Sequence, residues 1–471
     1  MTSTSTSRGF AAVILAAGQG TRMKSAQPKV LHAIAGRPMV AWPVAAALEA
    51  GAERVVVVLG HGKEQVEAAL VASDRVETAL QAEQRGTGHA VQCALPALEG
   101  FEGTVVILYG DVPLLEAEAI GALVDARGDQ PLSLLTCRAA DPTGYGRILR
   151  EGDAVVGIRE HKDCSEAERA IDEINPGLYA AEAGFLRDAL GGLKDDNAQG
   201  ELYLTDIVAA AASAGGARAV SWALESLQGV NDRAQLAEAA AVMRRRIATR
   251  HARAGVTIRD LDRVDIDAEV TIGVDAVIEP NVVLRGDTHV AAGAHVDVGC
   301  VLTDVTVAEG AYLKPYSVAS ESQIGPDAQV GPFSHLRPGS VMGPRSHLGN
   351  FVEMKKTTLG EGSKANHLAY LGDGTVGAGV NIGAGTIFCN YDGFQKHQTV
   401  LEDGAFIGSD SQLIAPIRVG VGAYVATGTT VTRDVPDDAL AVGRVKQSNK
   451  EGYASRLRAR LKAAKDAKAK G

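Results

Sequence analysis

Aromatic residues are scarce in this chain, 4% of 471 residues with only two tryptophans, while hydrophobic residues still reach 46%. That excludes an interior built on stacked rings and leaves an aliphatic one. Cysteine is sparse too: Cys93, Cys137, Cys164, Cys300 and Cys389 are odd in number, far apart and without a CxxC pair for zinc or redox work, so a reducing compartment is expected. No apolar run reaches the roughly 18 residues of a membrane span. Positive charge is in deficit, 47 Lys and Arg against 57 Asp and Glu for a net −10, so the overall balance asks for neither nucleic acid nor an anionic membrane.

The length exceeds one ordinary core and predicts about two or three domains. One local exception to the acidic balance is the C-terminus. Residues 456–470 hold Arg456, Arg458, Arg460, Lys462, Lys465, Lys468 and Lys470 against Asp466, a local +6 that leaves −16 on the remainder. A solvated, frayed helix is expected there, with anion binding the lesser alternative. At the other end, Arg8 followed by the apolar stretch Phe10 to Ala17 imitates a short signal sequence. The stretch runs straight into Gly18-Gln19-Gly20-Thr21-Arg22, which a buried strand and a phosphate loop explain better, so a soluble cytoplasmic protein is expected.

From residue 10 to about 230, the apolar runs AAVIL, RVVVVLG and TVVILYGD alternate with helical patterns, the rhythm of an α/β, Rossmann-like parallel sheet covered by helices. Ligands of such sheets sit beyond the strand C-termini, where the glycine-rich loop after AAVIL and the acidic turn after TVVILYG both fall. Leu236, Ala240, Met243 and Ile247 then recur at helical spacing beside Arg244, Arg245, Arg246, Arg250 and Arg253, which predicts a connecting helix.

Beyond residue 262 aliphatic residues recur every six: Ile266, Ile272, Ile278, Leu284, Val290, Val296 and Leu302. After a slip they resume at Ile324, Val330, Leu336, Met342, Leu348 and Met354, and again at Leu401, Ile407, Leu413, Val419, Val425 and Val431. Ala276, Val282, Thr288 and Ala294 sit four positions on. This is the hexapeptide signature of a parallel β-helix with three faces per coil, about nine coils between Ile266 and Val431. The alternative, a set of unrelated short strands, would not hold register through six repeats. Phe388 to Thr399 break the period, so a loop with Asn390-Tyr391-Asp392-Gly393 and Lys396 must leave the prism there. The expected domains are 1–233 (the α/β unit), 234–261 (linker helix), 262–437 (β-helix) and 438–471 (basic tail).

Gly18-Gln19-Gly20 alone is weak, since it matches neither the Walker loop nor the dinucleotide fingerprint, whose third glycine is replaced by Met23. Arg22 and Lys29 strengthen it, because glycines let backbone N–H groups approach phosphate oxygens while cations neutralise them. Asp111 in Tyr109-Gly110-Asp111-Val112-Pro113 puts a carboxylate at the sheet's carboxyl edge. Magnesium held by one or two protein oxygens plus substrate phosphates needs about this, although an Asp in a turn is by itself more often structural. In the second half, His335, His347 and His367 have spacings compatible with stacked faces, and zinc between subunits is one reading. Acyl transfer to an amine fits better than zinc, because the amine must lose a proton and imidazole titrates in the useful range, although a lone histidine is by itself more often a packed or surface residue.

The motifs LAAGQGTRMKSAQPKVLH, QAEQRGTGHA, YGDVP, GYGRI, REHKD, NPG and GVNDR occur in this order. The first half thereby resembles the sugar-1-phosphate uridylyltransferase half of the bifunctional GlmU family. The hexapeptide region, with Asn366-His367-Leu368-Ala369-Tyr370, is similar to that family's acetyltransferase half, a left-handed β-helix. Only the first nine residues and the basic tail fall outside the resemblance. It implies phosphate contacts for Arg22 and Lys29, and a UTP site formed by Leu15, Ala16, Gly18, Gln81, Gln84, Gly86 and Thr87. The two glutamine amides would face the uracil edge. Gly146, Glu160 and Asn175 would hold the amino sugar, and Asp111 with Asn231 would hold Mg²⁺. In the second half it implies His367 as general base, sugar-phosphate contacts from Arg337, Lys355, Tyr370, Asn381 and Lys396, and acetyl-CoA contacts from Ala384, Asn390, Tyr391, Ser409, Thr427 and Arg444. A flat-faced prism has little concavity, so a homotrimer with composite acetyl sites is the implied assembly. Two alternatives stay open: a β-helix that serves only as oligomerisation scaffold, and a non-catalytic solenoid carrying a decayed nucleotide fold.

Overall fold

The structure, a computed structural model, describes residues 9–70 and 73–469; Arg8 and Lys470, named above, lie outside them. Two compact units emerge: residues up to Ala254 together with Asp260–Val270, and Gly255–Arg259 together with Thr271 onward.

The first unit is built on a ten-stranded sheet. Phe10–Leu15 is its central parallel strand, flanked by Ala52–Leu59 and Thr104–Tyr109, with Val76–Leu80 outside Ala52–Leu59. Phe10–Leu15 and residues 55–59 and 105–108 are apolar and buried because helices cover both faces, whereas the edge strand Val76–Leu80 carries exposed Glu77 and Thr78. Ala12, Ile14, Val55 and Val57 face one core cluster, and Ala11, Val13, Val56 and Val58 face the other. The apolar stretch at the chain start is therefore the middle of the fold. Beyond Thr104–Tyr109 the sheet ceases to be purely parallel: Tyr179–Glu182 runs antiparallel between it and Leu132–Arg138. The order along the parallel half reverses at Phe10–Leu15, whose neighbours are reached from opposite sides, and the register sets Leu15 beside Tyr109. A crevice at the carboxyl ends follows.

The helix Arg233–Arg253 is capped by Asp232, whose carboxylate accepts from the N–H groups of Ala234 and Gln235 at 2.9 Å each. It buries Met243 and Ile247 of the stripe seen in the sequence, and its last turn carries Arg250 and Arg253, the charge that suits a helix C-terminus.

The second unit is a left-handed parallel β-helix. One face stacks eleven two- to four-residue strands, from Thr257–Ile258 to Leu440–Ala441, and the other two faces share a seventeen-stranded sheet. The hexad positions point inward: all are buried except Ile272, which is half-buried, and Ala276, Val282, Thr288 and Ala294 are fully buried beside them. Corners turn through left-handed residues, among them Asp275, Asn281, Asp327 and Asp373, whose short polar side chains tolerate positive φ. The break after Phe388 is a loop between the strands Ile387–Cys389 and Thr399–Leu401. A helix, Tyr453–Lys468, closes the chain with none of its residues buried. Among the described residues no helix is long and apolar enough to cross a membrane.

Candidate functional sites

The first site lies where the fold predicts one. A cavity of about 290 Å³ at the carboxyl ends of the parallel strands is lined by Leu15, Ala16, Gly18, Gln81, Gln84, Gly86 and Thr87, together with Lys29 and Asp111. Two glycines make it possible. Gly20 (φ +61) starts the single turn Thr21–Met23, and a β-carbon there would stand 2.4 Å from the Lys29 Cβ, so only glycine lets the loop lie against that lysine. Gly86 has φ +105, and a side chain would run into the Leu202 backbone at 2.7 Å.

Lys29 Nζ is paired with Asp111 Oδ2 and also donates to Asn231 Oδ1 at 3.3 Å, while Arg22 donates to the same Asn231 oxygen at 2.8 Å. One ammonium thus lies within reach of a carboxylate and an amide oxygen that converge on one point. Two hard oxygen donors at one locus fit a magnesium ion that takes its remaining ligands from phosphate and water. Among the described residues no three His, Cys, Asp or Glu side chains gather, so substrate oxygens would have to complete such a sphere. A second cavity, about 310 Å³, adjoins the first through Tyr109 and Asp111, and is lined further by Arg22, Tyr145, Pro176, Gly229 and Asn231.

Gly146 and Asn175 are register partners on neighbouring antiparallel strands. Asn175 is buried, donating to the Tyr179 hydroxyl at 2.7 Å and accepting from Gly177 N–H at 3.0 Å. Glu160, accepting from Thr205 at 3.2 Å, has its carboxyl pushed up chiefly by burial, with Asp163 and Asp206 adding repulsion against the Thr205 bond. Tyr109 lines both cavities, and burial, then the Asp111 and Glu160 charges, push the proton affinity of its phenol well up.

In the second unit the residues form two groups. His367, Ala384, Ser409, Thr427 and Arg444 stack along one corner of successive coils. Gly385 N–H donates to His367 O, Asp410 N–H to Ala384 O at 2.7 Å, Gly428 N–H to Ser409 O at 2.9 Å, and the Arg444 guanidinium to Thr427 O. Four coil steps carry the column about 19 Å, long enough for an extended pantetheine arm. His367 Nδ1 stands 2.8 Å from Asn350 Oδ1. A carbonyl oxygen only accepts, so Nδ1 carries the proton and the exposed Nε2 keeps a lone pair.

The second group gathers at the far end of the next face. Lys355 is the register partner of Gly372, and over Gly372 the Tyr370 hydroxyl and the Asn390 amide converge, each about 2.5 Å from where a β-carbon would stand. Arg337, one coil before, is paired with Glu353 at 2.7 Å. Asn390, expected with acetyl-CoA, lies in this chain with the sugar-phosphate residues, held by Asp373 at 2.5 Å. Lys396 lies over the Tyr391 ring at 4.2 Å in the emergent loop. Asn381 stacks on Lys364, three residues and about 10 Å along the strand from the His367 corner, and joins neither group.

Residues 12–198 match the MobA-like NTP transferase domain. Along 96% of its length the chain is 62% identical to the bifunctional protein GlmU of Sorangium cellulosum, covering 97% of that protein. The chain belongs to the bifunctional GlmU family. The GlmU proteins of an Anaeromyxobacter species and of Syntrophotalea carbinolica are 54% and 53% identical to it, over 96% and 93% of this chain and 93% and 95% of theirs. As a member of the GlmU family the chain is a uridylyltransferase and a glucosamine-1-phosphate N-acetyltransferase.

The sequence reading missed several residues that the GlmU fold brings to these sites. Tyr109 lay inside a quoted motif yet carried no role, and Glu201, which lines the first cavity, has no local signal at all. Asn350 is seventeen positions before His367, one coil in this stretch, and could have been found by counting back from the histidine. His89, inside GTGHA, contacts the Gln81 amide.

Proposed function

We propose that the two sites work in series, the β-helix acetylating glucosamine 1-phosphate and the α/β unit joining the product to UMP. The result is UDP-N-acetylglucosamine, an activated sugar for cell-wall synthesis made in the cytoplasm, with acetyl-CoA and UTP as co-substrates. The single observation that carries the reading is the cavity in which Gln81, Gln84, Gly86 and Thr87 share walls with Lys29 and Asp111.

In the acetyl site, the glucosamine amine gives its proton to His367 Nε2 as it attacks the thioester carbonyl, and the imidazolium returns that proton to sulfur as the C–S bond breaks and CoA leaves as thiol. Asn350 holds the imidazole in the reactive tautomer and supports the imidazolium that forms. Arg337 and Lys355 bind the sugar phosphate, with Tyr370 and Lys396, while the column from Ala384 to Arg444 takes the length of CoA. In the uridylyl site, the sugar phosphate oxygen attacks the α-phosphorus of UTP and the bond to pyrophosphate breaks. The nucleophile is already ionised near neutral pH, so the protein positions and neutralises rather than acting as base. Arg22 and Lys29 hold the phosphates, and Gly146, Glu160 and Asn175 orient the sugar. Mg²⁺ held by Asp111 and Asn231 would supply charge neutralisation at the phosphates.

The active form is a homotrimer with composite acetyl sites. Two observations support it. Tyr316, Phe333, Phe351 and Leu368 climb one corner on successive coils, the three rings stacked at 5.4 and 5.6 Å, all with positive φ and all half-exposed or more. Such an apolar ladder beside His367 suits cover by a second copy. Within one chain, moreover, the His367 column and the Arg337–Lys355 group occupy opposite ends of a face.

Paired variants test the division of labour. His367→Ala is expected to lose acetylation by about 10²- to 10⁴-fold and keep uridylylation, while Asp111→Ala does the reverse. A folded variant that lost both activities would refute two independent sites, and an active monomer in sedimentation would refute the trimer.

A further inference from the structure

We infer that His89 is a selectivity determinant of the nucleotide site, fixing which end of the Gln81 amide meets the base; the inference rests on the uridylyl reading of that site. Gln81 is 4% exposed and stands at the end of the strand Val76–Leu80, with its backbone N–H donating to Leu59 O at 2.8 Å. Its side-chain Nε2 donates to the Gly86 carbonyl at 3.1 Å and stands 3.3 Å from His89 Nδ1. A carbonyl oxygen only accepts, so the NH₂ end of the amide is the one turned inward. Its second hydrogen then faces His89 Nδ1, which must offer a lone pair. The other ring nitrogen, Nε2, lies 3.8 Å from Cys93 Sγ, one turn along the same helix Thr87–Ala94, where the sulfur can accept the Nε2 hydrogen.

Both amide hydrogens of Gln81 are therefore engaged within the protein, and the cavity that Gln81 lines is offered its Oε1 alone. An acceptor at that place matches the N3–H of uracil. Cytosine presents a bare N3 instead, and two acceptors would face each other with no shared proton. Discrimination of this kind is strong when a buried polar group is left without its partner. His89 itself is a positioning residue: it acts through Gln81 and its part is to oppose a turned amide. Without it, only the Gly86 carbonyl does so.

The test compares kcat/KM for UTP and CTP with N-acetylglucosamine 1-phosphate. His89→Phe keeps a ring of similar size but puts a C–H where Nδ1 was, whereas His89→Asn places a carbonyl oxygen at the Nδ1 position. The Phe variant is expected to lower the UTP-to-CTP preference about five- to tenfold, the effect of one lost hydrogen bond, and the Asn variant to restore most of it. Acetyl transfer, measured on the same preparations, is expected to stay unchanged. An unaltered preference in the Phe variant, or Phe and Asn variants that behave alike, would overturn the inference while leaving uridylylation standing. Failure of the unsubstituted protein to use UTP would overturn the parent reading and the inference with it. A readout that needs no variant is the ¹⁵N spectrum of the His89 ring: a protonated Nε2 with bare Nδ1 supports the proposal, and the opposite tautomer sinks it.

Discussion

Replacing Asn350 by alanine isolates the contribution of the bond that orients His367. At rest the Nδ1–H to Oδ1 bond, 2.8 Å long, joins two neutral groups at an exposed position, and such a bond is worth about 1 kcal/mol net. As the amine hands its proton to Nε2 the ring becomes an imidazolium, and the same bond becomes charge-assisted, worth about 1.5–3 kcal/mol. Only the increase, roughly 0.5–2 kcal/mol, lowers the barrier, so Asn350→Ala should reduce the acetylation kcat about two- to thirtyfold. That is less than the loss expected for His367→Ala, because the base itself remains. Asn350→Asp should retain the rate and move the acidic limb of the pH–rate profile upward, since a carboxylate favours the protonated ring. The assay follows CoA release from acetyl-CoA with saturating glucosamine 1-phosphate, alongside pyrophosphate release from UTP as internal control. An Asn350→Ala enzyme with unchanged kcat would refute the assigned tautomer, and equal losses in both activities would refute a local role.

Three other outcomes follow from the structure. Gly86→Ala, forced to place a methyl at φ +105 and 2.7 Å from the Leu202 carbonyl, should raise the KM for UTP about tenfold by displacing the Gln81 partner, and an unchanged KM would show that the backbone there does not shape the site. Leu336→Ala, in a fully buried hexad position, should destabilise the β-helix by about 2–5 kcal/mol, read as a lower denaturant midpoint by circular dichroism. His251 is buried with its Nε2 lacking a hydrogen-bond partner, and burial, then the Arg250 charge, holds its proton affinity below the usual value. The unfolded chain therefore binds more protons than the folded one once pH drops below about 6.5, and stability falls with pH through that window. His251→Gln should flatten that slope in thermal melts between about pH 7 and 5, and a slope identical to that of the parent would exclude His251 as a contributor.

Much of the architecture was legible because it rests on periodicity. Ile278, Leu284 and Val290 could be placed in one core by counting sixes, since each face of a coil contributes one inward side chain. The nucleotide cavity was legible in a different way: Gly18 and Asp111 each sit just beyond a recognisable strand, and Lys29 lies in the loop that follows Gly18. Tyr179–Glu182 was not legible, because an antiparallel strand inserted into a parallel sheet has the same apolar text as its neighbours. Nor was the pairing of Lys29 with Asp111, 82 positions apart, or the seating of Asn390 beside Tyr370.

The amino-acid sequence by itself determined the inward face of the coils wherever the six-residue period holds, and the chemical character of both sites, because burial pattern and side-chain chemistry are local properties carried along the chain. What the tertiary structure decided is which donors and acceptors meet. Asn350 fixes the proton on His367, His89 fixes the amide of Gln81, and Lys29 occupies the point where the oxygens of Asp111 and Asn231 converge. Hydrogen bonds act over about 3 Å, and no spacing along a chain specifies such a distance until the coils have stacked and the strands have found their register.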